Sequence, residues 1–347
     1  MDVVEKLVKN HSLEEEEYKE LLFLQENKEV REFLRKEAIW LRKKYYGNKV
    51  FIRGLIEFTN YCKNGCYYCG INRKNKNVRR YRLTKEEILD CCRQGYELGF
   101  RTFVLQGGED PFFTDDLMVT IIETIKEEYR DCALTLSVGE KTLSSYSKYK
   151  AAGADRFLLR HETSNPDHYA RLHPKDMSWQ RRMQCLMDLK SLSFQVGAGF
   201  MVGSPGQRRD DLAKELSFLQ RFRPQMVGIG PFIPHHETIF SKESAGSVEE
   251  TLFLLSVIRI ILPEVLLPAT TALGTLRSDG REAGLLCGAN VVMPNLSPRL
   301  HREDYSLYDN KISTGEEAAE SVALLSQKIK KIGYQIVSDR GDSLLLD

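Results

Sequence analysis

From about residue 49 onward, short apolar runs alternate with amphipathic stretches of helix length. That rhythm predicts βα units laid into a parallel sheet. Eight runs read as strands: Val50–Phe58, Thr102–Leu105, Ala133–Ser137, Arg156–Leu159, Gln195–Met201, Met226–Ile229, Leu266–Ala269 and Asn290–Met293. The stretches between them carry helix punctuation. Thr84 with Glu87 reads as a capping box. Thr114 precedes Asp115-Asp116, whose charges suit a helix N-terminus. Gly99, Gly153 and Gly288 stand where helices stop and strands start. The first 48 or so residues read as two helical segments. One opens on a box formed by Ser12 and Glu15; the other runs from Val30 to Tyr46, with Phe33, Ile39, Trp40 and Tyr45 at helical spacing.

Eight βα units predict an α/β chain folded as a closed (β/α)8 TIM barrel. An open doubly wound sheet is the competitor, but no G-x-G-x-x-G follows the first strand. The expected organisation is a helical cap over 1–48, a barrel over 49–310, and a C-terminal helix and tail over 311–347 packed on it. No Gly/Ser/Pro-rich linker or low-complexity tract divides the chain. At 347 residues, 42% hydrophobic and 29% charged, the composition is that of a globular protein.

Charge and cysteine usage narrow the function classes. A net charge of +1 gives no overall field to recruit nucleic acid or an anionic membrane. The most basic stretch, Asn72 to Arg82, reads either as a solvated loop or as a docking surface for an acidic electron donor. The start, Met1-Asp-Val-Val-Glu-Lys, is charged where a signal peptide would turn apolar. The apolar run Leu252–Leu267 is interrupted by Arg259, Pro263 and Glu264, so no membrane span is expected. Cys91, Cys92, Cys132, Cys185 and Cys287 are scattered and odd in number, as reduced thiols of a cytoplasmic protein would be.

The remaining three cysteines carry the chemistry. Cys62, Cys66 and Cys69 stand in a C-x3-C-x2-C spacing on one short loop after the first strand. Three thiolates can hold three irons of a cubane cluster and leave the fourth open, whereas a purely electron-carrying cluster takes four cysteines. An open coordination position is where a substrate binds. A structural zinc loop would need a partner pair at finger spacing, and none follows. After the second strand comes Gln106-Gly-Gly-Glu-Asp110, whose glycines allow close backbone approach to a ligand. After the fourth come Arg160 and Glu162, suited to a carboxylate and to hydroxyl or ammonium groups. Arg181 is a further carboxylate candidate, and Ile229 and Phe232 could flank an aromatic base. Thr270 and Thr271 offer hydroxyls after the seventh strand. His235 and His236 are expected to face opposite ways, which favours structural roles over shared metal binding.

The cysteine spacing, with Tyr68 before the last cysteine and the Gly-Gly-Glu string, resembles the radical S-adenosylmethionine (SAM) superfamily. Longer strings narrow this to the HydE family of FeFe-hydrogenase maturases, relatives of biotin synthase. They are Phe51–Cys62, Asn75–Arg82, Val104–Pro111, Leu158–Pro166, Met226–His235 and Leu267–Ala272. The resemblance implies an anaerobic enzyme with one 4Fe-4S cluster on Cys62, Cys66 and Cys69 and with SAM on the open iron. Reductive cleavage of SAM would yield a 5′-deoxyadenosyl radical. It implies SAM contacts from Tyr68, Gly107, Gly108, Ser137, Glu162 and Arg181. It implies one deep cavity in which Arg53, Gln106, Arg156, Arg160, Thr270, Thr271 and Tyr305 hold anionic groups of a small, cysteine-bound iron carbonyl cyanide. A ferredoxin or flavodoxin as electron donor, and other hydrogenase maturases, are the implied partners. Some relatives carry three further cysteines near the C-terminus; Ser313 stands in that region here and no cysteine follows Cys287, so a single cluster is expected. Methylornithine synthase, acting on an amino acid, is the rival enzyme, and a non-catalytic iron–sulfur scaffold is the rival from another class.

Overall fold

The structure is a computed structural model and describes residues 2–312 and 318–345; Ser313 lies outside the described residues. Three helices come first: α1 (Val3–Asn10), α2 (Glu15–Phe23) and α3 (Lys28–Tyr46). The Ser12–Glu15 box is not formed. Glu14 caps α2 with Glu17 as its partner, and the Ser12 hydroxyl donates to Asn10 O instead. The helices do not stand apart from the rest: α2 packs on α9 (Arg209–Phe222) and α3 on α10 (Val248–Ile261). One continuous core runs from Val4 to Tyr334.

The expected strands and helices follow in order. The first strand is split at Arg53 into β1 (Lys49–Ile52) and β2 (Gly54–Thr59). Then come α4 (Lys85–Glu97), β3 (Thr102–Gly107), α5 (Asp115–Glu128), β4 (Ala133–Ser137), α6 (Leu143–Ala151) and β5 (Arg156–Leu158). Next are α7 (Pro166–Leu172), α8 (Trp179–Ser191), β6 (Gln195–Ala198), β7 (Met201–Val202), α9, β8 (Met226–Val227), β9 (Gly230–Pro231) and α10. The Thr84–Glu87 box and the Thr114 cap are both present. The chain closes with α11 (Thr271–Leu276), α12 (Gly280–Leu285), β10 (Val291–Val292), α13 (Arg299–Arg302), α14 (Ala318–Lys331) and β11 (Gln335–Val337).

β2, β3, β4, β5, β6 and β8 form a six-stranded parallel sheet in that order. β10, β1 and β11 form a second parallel sheet, and β7 pairs with β9. The run Leu266–Ala269 makes only isolated bridges, Met226 to Leu266 and Pro268 to Val291; a further bridge joins Leu55 to Asn295. β2 is buried at every position, as a parallel strand covered on both faces should be. The C-terminal strand β11 was not expected. Its pairing with β1 brings residues 339–345 under the N-terminal ends of β4, β5 and β6, while the C-terminal ends carry the motif loops.

Candidate active site

The cysteine loop leaves the C-terminal end of β2 and is held by buried polar side chains. Asn60 donates to Arg79 O and Asp304 O, each at 2.8 Å, and accepts from Tyr81 N. Arg80 reaches beneath the loop to the carbonyls of Asn60, Ile71, Asn72 and Asn75. One guanidinium thus serves four carbonyls that have no strand or helix partner. Gly108 allows the next loop to close: a Cβ there would lie 2.1 Å from Tyr61 O and 2.7 Å from the Cys62 Cβ. The adjacent Glu109 N–H donates to the Cys62 Sγ at 3.4 Å. The cysteine loop and the Gly-Gly-Glu loop are therefore one built unit.

Cys62 and Cys69 line a cavity of about 340 Å³ above the sheet, and Cys66 lies beside them against the Met177 sulfur at 3.7 Å. Burial, and then the neighbouring cysteines, push the Cys66 thiol well up; the same causes raise Cys69 to about 12, and burial raises Cys62. Three thiolates coexist there only against a multiply charged cation, whose binding would expel their protons. This donor set fits an iron cluster. The other five cysteines are buried elsewhere.

The cavity gathers most of the expected residues. Tyr68, Gln106, Gly107, Gly108, Ser137, Arg160, Glu162, Thr270, Thr271 and Tyr305 all line it. Tyr68 stands edge-on to His173 and 3.3 Å from its Nε2; burial depresses His173 to about 3 and keeps it neutral. Glu162 has φ +65°, a left-handed conformation that costs a non-glycine residue of order 1 kcal/mol. Its Oε2 ion-pairs with Arg160 Nη2 at 3.2 Å, while Arg160 Nε and the Thr270 hydroxyl make no hydrogen bond. Orphaned donors and acceptors facing a cavity are groups poised for a ligand.

Four expected residues lie elsewhere. Arg53 and Arg156 do not line this cavity. They border a separate space of about 10 Å³, room for roughly one water, with Leu158 as the wall between the two. Arg156 begins β5 and Arg160 follows its end; four residues of strand span roughly 13 Å. The Arg156 guanidinium is held by Asp342 at 2.6 Å, Arg340 O at 2.7 Å and Thr102 Oγ1 at 3.0 Å. Arg53 Nη1 meets the Met226 sulfur at 2.8 Å, while its Nε and Nη2 have no partner. Arg181 points to Lys141 O and Asp188; its neighbour Arg182, one step around α8, lines the cavity, donating to Glu140 at 2.6 Å and Arg160 O at 2.7 Å. Ile229 is fully buried and packs in the core, whereas Phe232 does line the cavity.

The two histidines depart from expectation in geometry. They lie beyond β9 with rings stacked at 4.4 Å, both near Asp309. Even so, the Glu237 N–H donates to His235 Nδ1, which leaves the ring proton on Nε2 and no lone pair facing Asp309. They form a hydrogen-bonded bracket. His235 also packs on Gly70, where a Cβ would lie 2.2 Å from its ring.

Two further cavity residues went unnoticed in the sequence. Glu57 accepts from Lys311 and from Asn295 at 2.8 Å, and both Glu57 and Lys311 line the cavity. A glutamate inside the apolar run Leu55-Ile-Glu-Phe58 was a readable signal, since unpaired glutamates are almost never buried. Lys311 sent none: it meets Glu57 across 254 residues.

An open thiol-lined cavity at the C-terminal ends of a parallel sheet defines a class, and comparison agrees. The radical SAM superfamily matches residues 56–219. The chain is a radical SAM enzyme, of the family that uses a 4Fe-4S cluster and SAM. It is 46% identical over 310 residues to the [FeFe] hydrogenase maturase subunit HydE of Thermotoga maritima, covering 89% of this chain and 88% of that one. The chain belongs to the HydE family. It is also 29% identical to 3-methylornithine synthase of Methanosarcina acetivorans over 92% of this chain and 89% of that one. Among solved structures, methylornithine synthase superposes with a TM-score of 0.83 at 28% identity, covering 96% and 97% of the two chains. The FeFe-hydrogenase maturase HydG superposes at 0.80 with 20% identity, covering 96% of this chain and 75% of that one, a likeness of fold. No helix among the described residues is long and apolar enough to cross a membrane.

Proposed function

We propose that this chain matures an FeFe-hydrogenase, with Cys62, Cys66 and Cys69 holding three irons of one cluster and SAM occupying the fourth. The observation that carries this reading is a loop with three thiols, two of them lining a cavity of substrate size. When bound, the cluster and SAM supply a one-electron cleavage of the sulfonium that delivers a 5′-deoxyadenosyl radical. The residues do the rest. Tyr68, Gly107, Gly108, Ser137 and Glu162 hold SAM, and Arg182 takes the part expected of Arg181. Arg160, Gln106, Thr270, Thr271 and Tyr305 hold the anionic groups of a small cysteine-bound iron carbonyl cyanide. A guanidinium with its Nε N–H unpartnered in a low-dielectric pocket suits a carboxylate or cyanide. The surrounding apolar wall of Met201, Phe232, Leu159 and Leu307 keeps water from a radical.

The same reading includes a closed eight-stranded barrel. The bridges Met226–Leu266, Pro268–Val291 and Leu55–Asn295 support it, since they link the ends of the two parallel sheets. Residues 1–48 then form its helical cap and 311–347 a C-terminal segment on its wall. The test is anaerobic reconstitution followed by incubation with SAM and dithionite. Release of 5′-deoxyadenosine with about four irons per chain is expected; iron without SAM cleavage would leave the scaffold reading. The likeness to methylornithine synthase keeps a second reading in view. Formation of methylornithine from lysine in the same mixture would replace the maturase assignment.

A further inference from the structure

We propose that the outer rim of the cysteine loop is the docking surface of an acidic one-electron carrier protein. The inference rests on the function proposed above, which demands an electron from outside the chain. Asn64, Cys62 and Cys69 face the cavity on the inner side of the loop. The outer side is built from cations. The basic segment does not hang free: Arg73 N donates to Asn64 O at 2.8 Å, and its guanidinium donates to Lys63 O at 3.1 Å. That guanidinium lies 3.4 Å from where a Gly65 side chain would begin, with Pro174 at 3.5 Å beside it.

Lys63, Arg73, Lys74 and Lys175 are exposed on this rim. The carboxylates against them are Glu109, paired with Lys63 at 3.3 Å, and Asp176, paired with Arg73 at 2.8 Å. Four exposed cations meet two carboxylates there, in a molecule whose net charge is +1. Beside the rim, the Arg82 guanidinium sits 3.7 Å from the Tyr61 ring and 4.7 Å from that of Phe112. Phe112 is 55% exposed. Tyr61 is bonded to Cys62, so this aromatic–arginine patch abuts a thiol of the site. An aromatic and arginine anchor within a cationic rim is the composition of a protein interface, and the rim's sign selects an acidic partner.

The experiment compares two electron sources on the full-length, reconstituted protein. One is a flavodoxin with its reductase; the other is dithionite, too small to need a docking face. The double variant Lys74→Glu/Lys175→Glu alters exposed residues outside the cavity, and Phe112→Ser is a second, uncharged probe. At about 20 mM salt, flavodoxin-supported 5′-deoxyadenosine release is expected to fall at least about tenfold in the double variant, with the gap narrowing near about 500 mM. Dithionite-supported release stays at the wild-type rate. Equal flavodoxin rates in variant and wild type at low salt would overturn the proposal, as would an equal loss with both donors. Wild-type protein inactive even with dithionite would instead overturn the functional reading on which the surface rests.

Discussion

Arg156 begins a strand and Arg160 follows its end, four residues on, in environments that share almost nothing. Arg160 borders the large cavity with Nη2 ion-paired to Glu162, a glutamate held in a left-handed conformation, and with Nε unpartnered. Arg156 lies at the strand's other end, its guanidinium occupied by Asp342, Arg340 O, Thr102 and Gln195. The C-terminal tail closes off the Arg156 guanidinium, whereas Arg160, paired with Glu162 on one side, keeps its Nε for a ligand. Buried charge therefore has two uses here: at the upper end it is left open for binding, and at the lower end it is closed as structure. Arg53 sits nearer the second: it borders the small lower space, and burial followed by the proximity of Arg156 drives its pKa well down.

The comparison breaks most sharply at the cysteines. Cys69→Ser should abolish both the cluster absorbance and 5′-deoxyadenosine release while leaving the far-ultraviolet circular dichroism unchanged, because the loop is held by Asn60 and Arg80. Next come the two arginines. Arg160→Met should lower substrate turnover by roughly 10–100-fold, the worth of one or two hydrogen bonds to a charged group, with little change in melting temperature. Arg156→Met should do the reverse. It leaves the Asp342 and Arg340 oxygens facing a methionine, and losing a charge-assisted hydrogen bond to a half-exposed carboxylate costs about 2 kcal/mol. Urea unfolding and single-turnover assays on the same preparations separate the two outcomes. If Arg156→Met instead weakened substrate binding at unchanged stability, the two ends would not differ as described.

Acid probes the lower end through Asp342. Arg156, Arg340 and Gln195 hold the Asp342 carboxyl well below its ordinary value, against the opposing effect of burial. A depressed folded-state pKa gives stability that is complete above the unfolded value of about 3.9 and is lost as pH falls toward the folded one. Stability should therefore decline as pH is lowered from about 5 through 3, and Asp342→Asn should flatten that decline in unfolding curves taken across the range. The smallest effect is expected at the exposed ring of His236. His236→Ala should shift stability by no more than about 0.5 kcal/mol and leave the metal content untouched, because His236 is hydrogen-bonded to Asp309 and His235 accepts from the Glu237 N–H.

The same contrast explains what the sequence disclosed. The cysteine loop, the Gly-Gly-Glu turn and Arg160 with Glu162 were legible because each occupies a few consecutive residues at the end of an apolar run. The strand and helix order was legible from periodicity, and Thr84 and Thr114 from capping chemistry. Arg156 lies apart from the cavity: chain proximity to Arg160 does not say which end of a strand a residue occupies. Its partner Asp342 comes from a tail positioned by β11, a long-range pairing with no local signature. Arg181 stands one position on a helix, about 100° of rotation, from the cavity-lining Arg182, and Ile229 one position from the cavity-lining Gly230. Lys311 meets Glu57 only through the fold. Local motifs fix the chemistry of a site; the far side of its cavity comes from distant segments.

The central claim is that the iron left free by three cysteines is where SAM binds. Electron–nuclear double resonance of the reduced, reconstituted protein with SAM labelled by ¹⁵N at its amino group and ¹⁷O at its carboxylate tests it directly. Hyperfine coupling of both labels to the cluster is the result the account predicts. A cluster signal indifferent to labelled SAM, under conditions where SAM is bound, would contradict it.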